Sequence, residues 1–293
     1  VLWRVWDRML EIEFVDRSVA LAGKAFVSFF PLVIVIASFV PDNARKAIFS
    51  TMTRRLGVQG HALVEARRAF ASSDDVRRAT GILGLVLMIF FASSFTTALQ
   101  RVYLRAWRRP PGRKASEYTR GPAWLLGVIA FMALMGGIRS LFGDGPQVVG
   151  FAIISLVATS VLWWFTAWFM LRGQVRWRVL VPSGVITGVT MAGYALSASI
   201  WMPEVVLRNQ SQFGFFGVAL ALVTWFSGAA ICILIGTCAG AVFAADEGWI
   251  GRFVRGPEGS LLVPGADPSF AAPVRDLRLR DAFGSVDDDA IES

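Results

Sequence analysis

Charged residues are scarce in this chain. Only 17% of its 293 residues are charged, whereas 55% are hydrophobic. A typical soluble domain carries about 25% charged residues and a smaller apolar share. This composition excludes an ordinary water-soluble domain and indicates a protein that is solvated by lipid.

Residues that bind metals or form disulfides are also few. The chain has one histidine, His61, and two cysteines, Cys232 and Cys238, which lie six positions apart in one apolar segment. In a helix that spacing separates the Cα atoms by about 9 Å, too far for a disulfide. Because no cluster of His, Cys, Asp and Glu has ligand spacing, we expect no metal site and no cofactor.

Six stretches with few or no charges are each long enough to cross a membrane. About 20 apolar residues, at 1.5 Å each, span a hydrocarbon layer of about 30 Å. The stretches are Ser18–Val40, Gly81–Leu104, Pro122–Phe142, Val148–Leu171, Val179–Met202 and Phe213–Ala245. The sequence therefore predicts an all-α polytopic membrane protein with six transmembrane helices and amphipathic interfacial helices. Seven spans is the alternative count.

Segments outside the spans complete the domain organisation. Residues 1–17 predict an amphipathic interfacial helix, and residues 41–80 predict further amphipathic helices that lie on the membrane or cap the bundle. Residues 18–250 form the transmembrane domain. The acidic residues 251–293 predict a disordered cytoplasmic tail. In the first segment one face is apolar and the other charged, with Leu2, Trp3, Trp6, Met9 and Leu10 opposite Arg4, Asp7, Arg8 and Glu11.

The positions of Lys and Arg predict the orientation. Basic residues concentrate in Arg105–Gly121 and Arg172–Arg178, which we expect to be cytoplasmic. The turns Gly143–Gln147 and Pro203–Gln212 then face outward as loops, the second including the polar run from Asn209 to Gln212. Both termini are expected in the cytoplasm, with the chain in a bacterial plasma (inner) membrane. Residues 41–80 carry eight basic residues yet fall outside in this scheme.

The uneven distribution of charge indicates the partner. Residues 1–245 carry 24 Lys and Arg against 11 Asp and Glu, whereas residues 246–293 carry 5 against 10. A basic membrane body indicates anionic lipid headgroups as neighbours. Because topology accounts for the basic residues, nucleic acid is not expected as a partner.

Lys24 is the clearest charge inside the first span, and the six stretches contain no Asp or Glu. A proton relay through carboxylates is therefore not expected. Lys24 either extends its stem to the headgroups or binds an anion or lipid phosphate. Ser28 lies one turn further on, and Pro31 bends the helix or exposes carbonyls.

Polar side chains form a stripe in the second span. Ser93, Thr97 and Gln100 fall on one helix face. They either line a polar cavity or bond to backbone and neighbouring helices.

Glycines at a spacing of four mark close helix contacts. Gly184 with Gly188, and Gly236 with Gly240, allow two backbones to approach. The contacts lie within the bundle or between protomers, and the second option would make a homo-oligomer.

Two stretches resemble a known family. Ala25–Leu32 resembles the small-aromatic-Ser-x-x-Pro-Leu stretch of the YihY/BrkB family of bacterial inner-membrane proteins, formerly described as ribonuclease BN. The last span, with Phe213, Gly214, Gly217, Trp225 and Gly236, resembles the last helix of that family. The resemblance covers about residues 1–250. It implies six helices, cytoplasmic termini and a role in the cell envelope, with lipid or lipopolysaccharide-precursor transport as the suggested activity.

This chain departs from the family pattern at two places. Where the family's last helix reads Gly-Ala-Glu-x-Asn, this chain has Gly236-Thr237-Cys238-Ala239-Gly240, and Gln100 stands where the family has Asn. A function that needs the missing Glu is not carried over to this chain.

Three functions follow from these observations. The first is a transporter or flippase-like protein for a lipid or anionic solute, which uses Lys24, Pro31 and the polar stripe. The alternative is a non-catalytic scaffold or oligomeric structural protein. Ribonuclease activity is disfavoured because the sequence shows neither an acidic cluster for Mg²⁺ nor a His–Lys pair, so we expect no enzyme.

Overall fold

The computed structural model describes residues 1–39, 74–110, 117–142, 147–246 and 248–255. Within these residues the chain is helical. The amphipathic helices predicted in residues 41–73, His61 among them, and the tail beyond residue 255 lie outside the described residues. The helices are α1 (Leu2–Glu11), α2 (Phe14–Phe39), α3 (Asp74–Ala106), α4 (Glu117–Ser140), α5 (Gln147–Met170), α6 (Val181–Phe213), α7 (Phe215–Ala245) and α8 (Trp249–Arg255).

Six of the described helices, α2 to α7, are long and apolar enough to cross a membrane. The six predicted spans and the all-α fold are therefore confirmed. Two helices are much longer than predicted: α3 begins at Asp74 rather than at Gly81, and α6 continues to Phe213 rather than ending at Met202. With 33 residues each, they are about 50 Å long, so they can extend well beyond a 30 Å layer.

The prediction that Pro203–Gln212 forms an outer loop is wrong. These residues continue α6, with Pro203 inside the helix. A proline removes only one helical N–H, and the surrounding turns keep their hydrogen bonds. The longer helix also adds Glu204, which is exposed. The absence of Asp and Glu therefore applies to the shorter predicted span and not to the whole of α6.

A sharp corner at Gly214 joins α6 to α7. Gly214 has φ of +58°, a left-handed conformation that glycine adopts without a steric penalty. Its N–H donates to Gln210 O at 2.9 Å, which closes the end of α6. At Gly217 an added Cβ would lie 2.6 Å from Gln210 N. The absence of a side chain there lets α7 begin against the last turns of α6.

Glycines of α7 continue this close contact along α6. A Cβ added at Gly236 would lie 2.7 Å from the Thr187 Cα atom, and one at Gly240 would lie 2.7 Å from Ser183 N. The Ser183 hydroxyl donates to the Gly236 carbonyl at 3.3 Å. The motif Gly236-x-x-x-Gly240 thus packs α7 backbone directly on α6.

The other glycine motif packs α6 on α5. A Cβ at Gly184 would lie 2.7 Å from the Trp164 Cα atom, and one at Gly188 would lie 2.7 Å from the Ser160 Cα atom. Both predicted glycine motifs therefore make their close contacts within one chain, which is the first of the two alternatives that the spacing left open.

Helix α2 pairs with α3 in antiparallel fashion and also packs on α7. At one end of the pair Ile34 lies against Gly84, and at the other end Arg105 is ion-paired with Glu13 at 3.4 Å. The rings of Phe29 and Phe226, 5.8 Å apart, join α2 to α7. Helix α7 thus stands between α2 and α6 at the centre of the bundle.

We expect the Gly236→Ala substitution to destabilise the protein. The new methyl group would meet Thr187 backbone, which cannot move without shifting α6, and overpacking of this kind costs about 1–3 kcal/mol. Gly193→Ala is the matched control, because nothing lies within 4 Å of its added Cβ. The control should be neutral or more stable by about 0.5–1 kcal/mol. Thermal unfolding in detergent measures both, and equal effects of the two substitutions would contradict the packing described.

Candidate functional site

Both described ends of the chain and two basic connections meet at one end of the bundle. Arg4 of α1 is ion-paired with Asp246, which follows α7, at 3.1 Å. Arg108, which follows α3, is ion-paired with Glu11 at 2.8 Å. An even number of spans requires this arrangement. We call this region, formed by α1, the ends of α3 and α7, the connection between α5 and α6 (residues 171–180) and α8, the basic end.

The short helix α8 belongs to the basic end as well. The Arg255 guanidinium donates to the Ala244 carbonyl at 2.5 Å, which holds α8 against the end of α7. Residues 249–255 are helical, so the disordered tail predicted from residue 251 does not include residues 251–255.

Helix α1 is amphipathic, as the sequence predicts, and its charged side is divided, because Arg4 and Asp7 are exposed whereas Arg8 and Glu11 contact the protein. Leu2, Trp3, Trp6 and Leu10 are exposed, whereas Met9 packs on the core. The side chains of Arg8 and Glu11 are largely buried against the bundle. Exposed indole and leucine side chains at the end of a membrane bundle suit the headgroup layer. Helix α1 therefore has the pattern of exposed and covered side chains expected for a helix that lies between lipid and protein.

Two glutamates at the α1–α2 connection hold α1 in place. The Glu11 carboxylate accepts two hydrogen bonds from Arg108, at 2.8 and 3.2 Å. Glu13 accepts from Arg17 at 2.8 Å and from Arg105 at 3.4 Å. A paired guanidinium–carboxylate contact of the first kind is strong and directional. It attaches the N-terminal helix to the end of α3.

Positive charge remains buried in this region. Arg8 lies 3.6 Å from Glu11, the same carboxylate that Arg108 binds more closely. Burial lowers the pKa of Arg8, and the nearby Arg108 lowers it further. Burial also lowers the pKa of Arg109, which is only 6% exposed. A guanidinium keeps its proton in proteins, so both groups add positive charge to this region.

Four buried hydrogen-bond donors of the basic end, among the described residues on or just after α1 and α3, have no hydrogen-bond partner. They are Arg8 Nη1, the Tyr103 hydroxyl, Trp107 Nε1 and Arg109 Nε. Tyr103 is 0% exposed and Trp107 is 7% exposed. Buried polar groups without partners are rare in native proteins. Sequence reasoning missed this group, because the one available signal, Tyr103 and Trp107 one turn apart before a basic loop, says nothing about hydrogen bonding.

Lys24, Ser28 and Pro31 all lie on α2, as predicted. Lys24 is half-buried, and its backbone carbonyl accepts a hydrogen bond from the Ser28 hydroxyl at 2.7 Å. Pro31 is buried inside the helix. Lys24 lies seven residues beyond Arg17, about 10 Å further along the helix axis. The lysine is therefore the next positive charge inward on α2 from the basic end.

The polar stripe of α3 is occupied by hydrogen bonds. The Ser93 and Thr97 hydroxyls donate to carbonyls one turn earlier on their own helix, each at 2.7 Å. Gln100 donates to the Met170 carbonyl of α5 at 3.3 Å. No hydrogen bond or ion pair among the described residues joins this stripe to Lys24. The stripe and Lys24 are thus two separate features, and the stripe matches the alternative of backbone and interhelix bonding.

Metal-binding groups are not found in this region. Among the described residues, no three His, Cys, Asp or Glu side chains are grouped so that they could hold a metal ion. Both cysteines are free thiols, and Cys238 is buried near Arg8.

The fold and the basic end define the class of protein. The chain is an integral membrane protein with six apolar spans and an N-terminal amphipathic helix docked on the end of the bundle through ion pairs. A family model described as "Virulence factor BrkB" matches residues 5–248, from α1 to the residue before α8. The chain belongs to the BrkB family, which confirms the resemblance noted in its sequence. No curated protein and no solved structure matches it.

We expect the Glu11→Gln substitution to loosen α1 from the bundle, because it removes the charge that pairs with Arg108 and Arg8. Cys238, buried in the region that α1 covers, reports this opening through its reaction with a maleimide in a Cys232→Ser background. Labelling should accelerate about fivefold, the effect of roughly 1 kcal/mol on the free energy of opening. Asp7→Asn, an equal charge change at an exposed position of α1, should leave the rate unchanged. Equal rates in wild type and Glu11→Gln would show that the ion pairs do not hold α1.

Proposed function

We propose that this membrane protein is a transporter or flippase-like protein that moves an anionic lipid or solute and catalyses no covalent chemistry. The observation that carries the proposal is the position of Lys24, half-buried on a membrane-spanning helix. Ionised side chains at this depth are costly and are usually retained for a function. A cation held there favours an anionic cargo.

The arrangement of charges supports a path for an anion from the basic end. Arg8, Arg17 and Arg105 contribute positive charge to the basic end, and positive charge at a surface raises the local concentration of anions. Lys24 offers the next positive charge, about 10 Å further along α2. The cargo would thus meet cations at two successive depths.

Pro31 also supports this path for an anion. Proline has no N–H, so the carbonyl of Val27 loses its usual helical donor within the span. Breaks of this kind build polar sites in transporter helices. Lys24 and the Val27 carbonyl lie within one turn of each other, which would place a polar patch in the middle of α2.

The scaffold alternative receives less support. It depended on glycine motifs that would join protomers, and both motifs make close contacts within a single chain. Homo-oligomer formation would therefore need another surface. We favour transport over scaffolding for this reason.

We expect Lys24→Ala to reduce transport of a fluorescent phosphatidylglycerol across proteoliposome membranes by about tenfold, the effect of roughly 1.4 kcal/mol on the barrier. Lys24→Arg should keep most of the activity because it retains the charge. Arg101→Ala, which removes one charge from an exposed position of α3, is the matched control and should transport normally. Transport that proceeds equally in Lys24→Ala and in wild type would contradict the proposal.

A further inference from the structure

Three of the buried donors without partners, Arg8 Nη1, the Tyr103 hydroxyl and Trp107 Nε1, come from two helices, α1 and the end of α3, and lie beside α7. Tyr103 on α3 lies beside Thr237 of α7, outside hydrogen-bonding geometry. The Thr237 hydroxyl instead donates to the Ile233 carbonyl at 2.7 Å. Arg8 of α1 lies near Cys238, the residue after Thr237. Trp107 follows Tyr103 by one helical turn and so lies on the same face of α3. The three donors therefore gather where α1 covers α3 and α7.

The chemistry of these donors specifies an acceptor. An indole N–H and a guanidinium can only donate, and a tyrosine hydroxyl can also donate. Arg8 adds positive charge, because the Glu11 carboxylate that faces it at 3.6 Å is bound more closely by Arg108. A cation flanked by neutral donors is the arrangement that binds the oxygens of an oxyanion. A phosphate group offers several such oxygens.

Helix α1 packs on α7 beside this cluster and is ion-paired with the end of α3. It is connected to α2 through the two-residue turn at Ile12 and Glu13, where Glu13 has φ of +57°. Non-glycine residues rarely adopt this conformation, and it commonly marks a strained or movable point. The exposed apolar side chains of α1, among them Trp3 and Trp6, would place the helix in the headgroup layer. A lipid phosphate would therefore lie beside the cluster as soon as α1 lifts.

We propose that Arg8, Tyr103 and Trp107 form a binding site for one phosphate group, carried by an anionic lipid or free in solution, and that α1 is the lid of this site. The choice of ligand class rests on the proposed function, whereas the site itself rests on the three donors without partners. The site lies at the basic end, where an anionic cargo would first enter the protein.

Thermal unfolding of the full chain in non-ionic detergent tests the proposal. Inorganic phosphate, compared with chloride at equal ionic strength, is the first probe, and dihexanoyl-phosphatidylglycerol, compared with dihexanoyl-phosphatidylcholine, is the second. We expect at least one of the anionic probes to raise the unfolding temperature in a saturable way. Stabilisation by both probes shows that the site recognises the phosphate group and does not require the rest of a lipid. Stabilisation by phosphatidylglycerol alone assigns the site to a lipid. If neither probe stabilises the protein, the proposal is wrong.

Conservative substitutions locate the binding. Tyr103→Phe and Trp107→Phe each remove one donor and should weaken the binding of the active probe about tenfold, the effect expected for a hydrogen bond to a charged group. Without ligand, Tyr103→Phe should not lower the unfolding temperature, because the hydroxyl that it removes has no partner.

The chain offers a matched control for each substitution. The Tyr194 hydroxyl donates to the Trp225 carbonyl at 2.9 Å, and Trp124 Nε1 donates to the Thr166 hydroxyl at 3.1 Å. Tyr194→Phe and Trp124→Phe should therefore lower the unfolding temperature and leave ligand affinity unchanged. Equal loss of affinity in the controls, or a lower unfolding temperature of ligand-free Tyr103→Phe, would overturn the assignment.

The site and the proposed function can fail separately. Ligand binding that depends on Tyr103 and Trp107, together with transport that is insensitive to Lys24→Ala, would keep the site and reject the path through α2. Transport that depends on Lys24, together with ligand binding that does not depend on Tyr103 and Trp107, would keep the path through α2 and reject the site.

Discussion

The backbone of this protein has to satisfy its own hydrogen bonds, because a hydrocarbon layer offers no water to do so. Long continuous helices are the solution, and the described spans keep their helices even through Pro31 and Pro203. The hydrophobic effect does not drive these helices together, because lipid tails and the side chains are equally apolar, so the helices need another attractive interaction. Glycines supply it by letting α7 approach α6, and α6 approach α5, at backbone distance.

The number of spans and the amphipathic character of α1 could be predicted from the sequence, because both depend on patterns along a single helix. The length of α6 could not, since polar residues such as Asn209 are compatible with a loop and with a helix that leaves the membrane. The helices that the two glycine motifs contact could not be predicted either. A Gly-x-x-x-Gly spacing indicates a close contact but does not say which backbone fills it.

The basic end shows most clearly what a sequence leaves undetermined. Arg8 and Glu11 read as the charged side of a surface helix, and on such a helix that side usually faces water. In the structure the side chains of Arg8 and Glu11 face the bundle, whereas Arg4 and Asp7 are exposed, and Glu11 lies closer to Arg108 than to Arg8. The positive charge of this region and its hydrogen-bond donors without acceptors follow from this three-dimensional arrangement. The predicted residues Lys24 and Gln100, in contrast, lie on separate helices with separate partners.

The central claim is that six spans place α1, α8 and the basic connections together on one side of the membrane, which the distribution of arginine predicts to be the cytoplasmic side. Single cysteines introduced at Trp177 and Arg252, at the basic end, and at Leu141 and Gln212, at the opposite end, test it in a background without Cys232 and Cys238. An impermeant maleimide added outside intact cells should label only the cysteines at positions 141 and 212. Labelling of both groups from the same side would contradict the account.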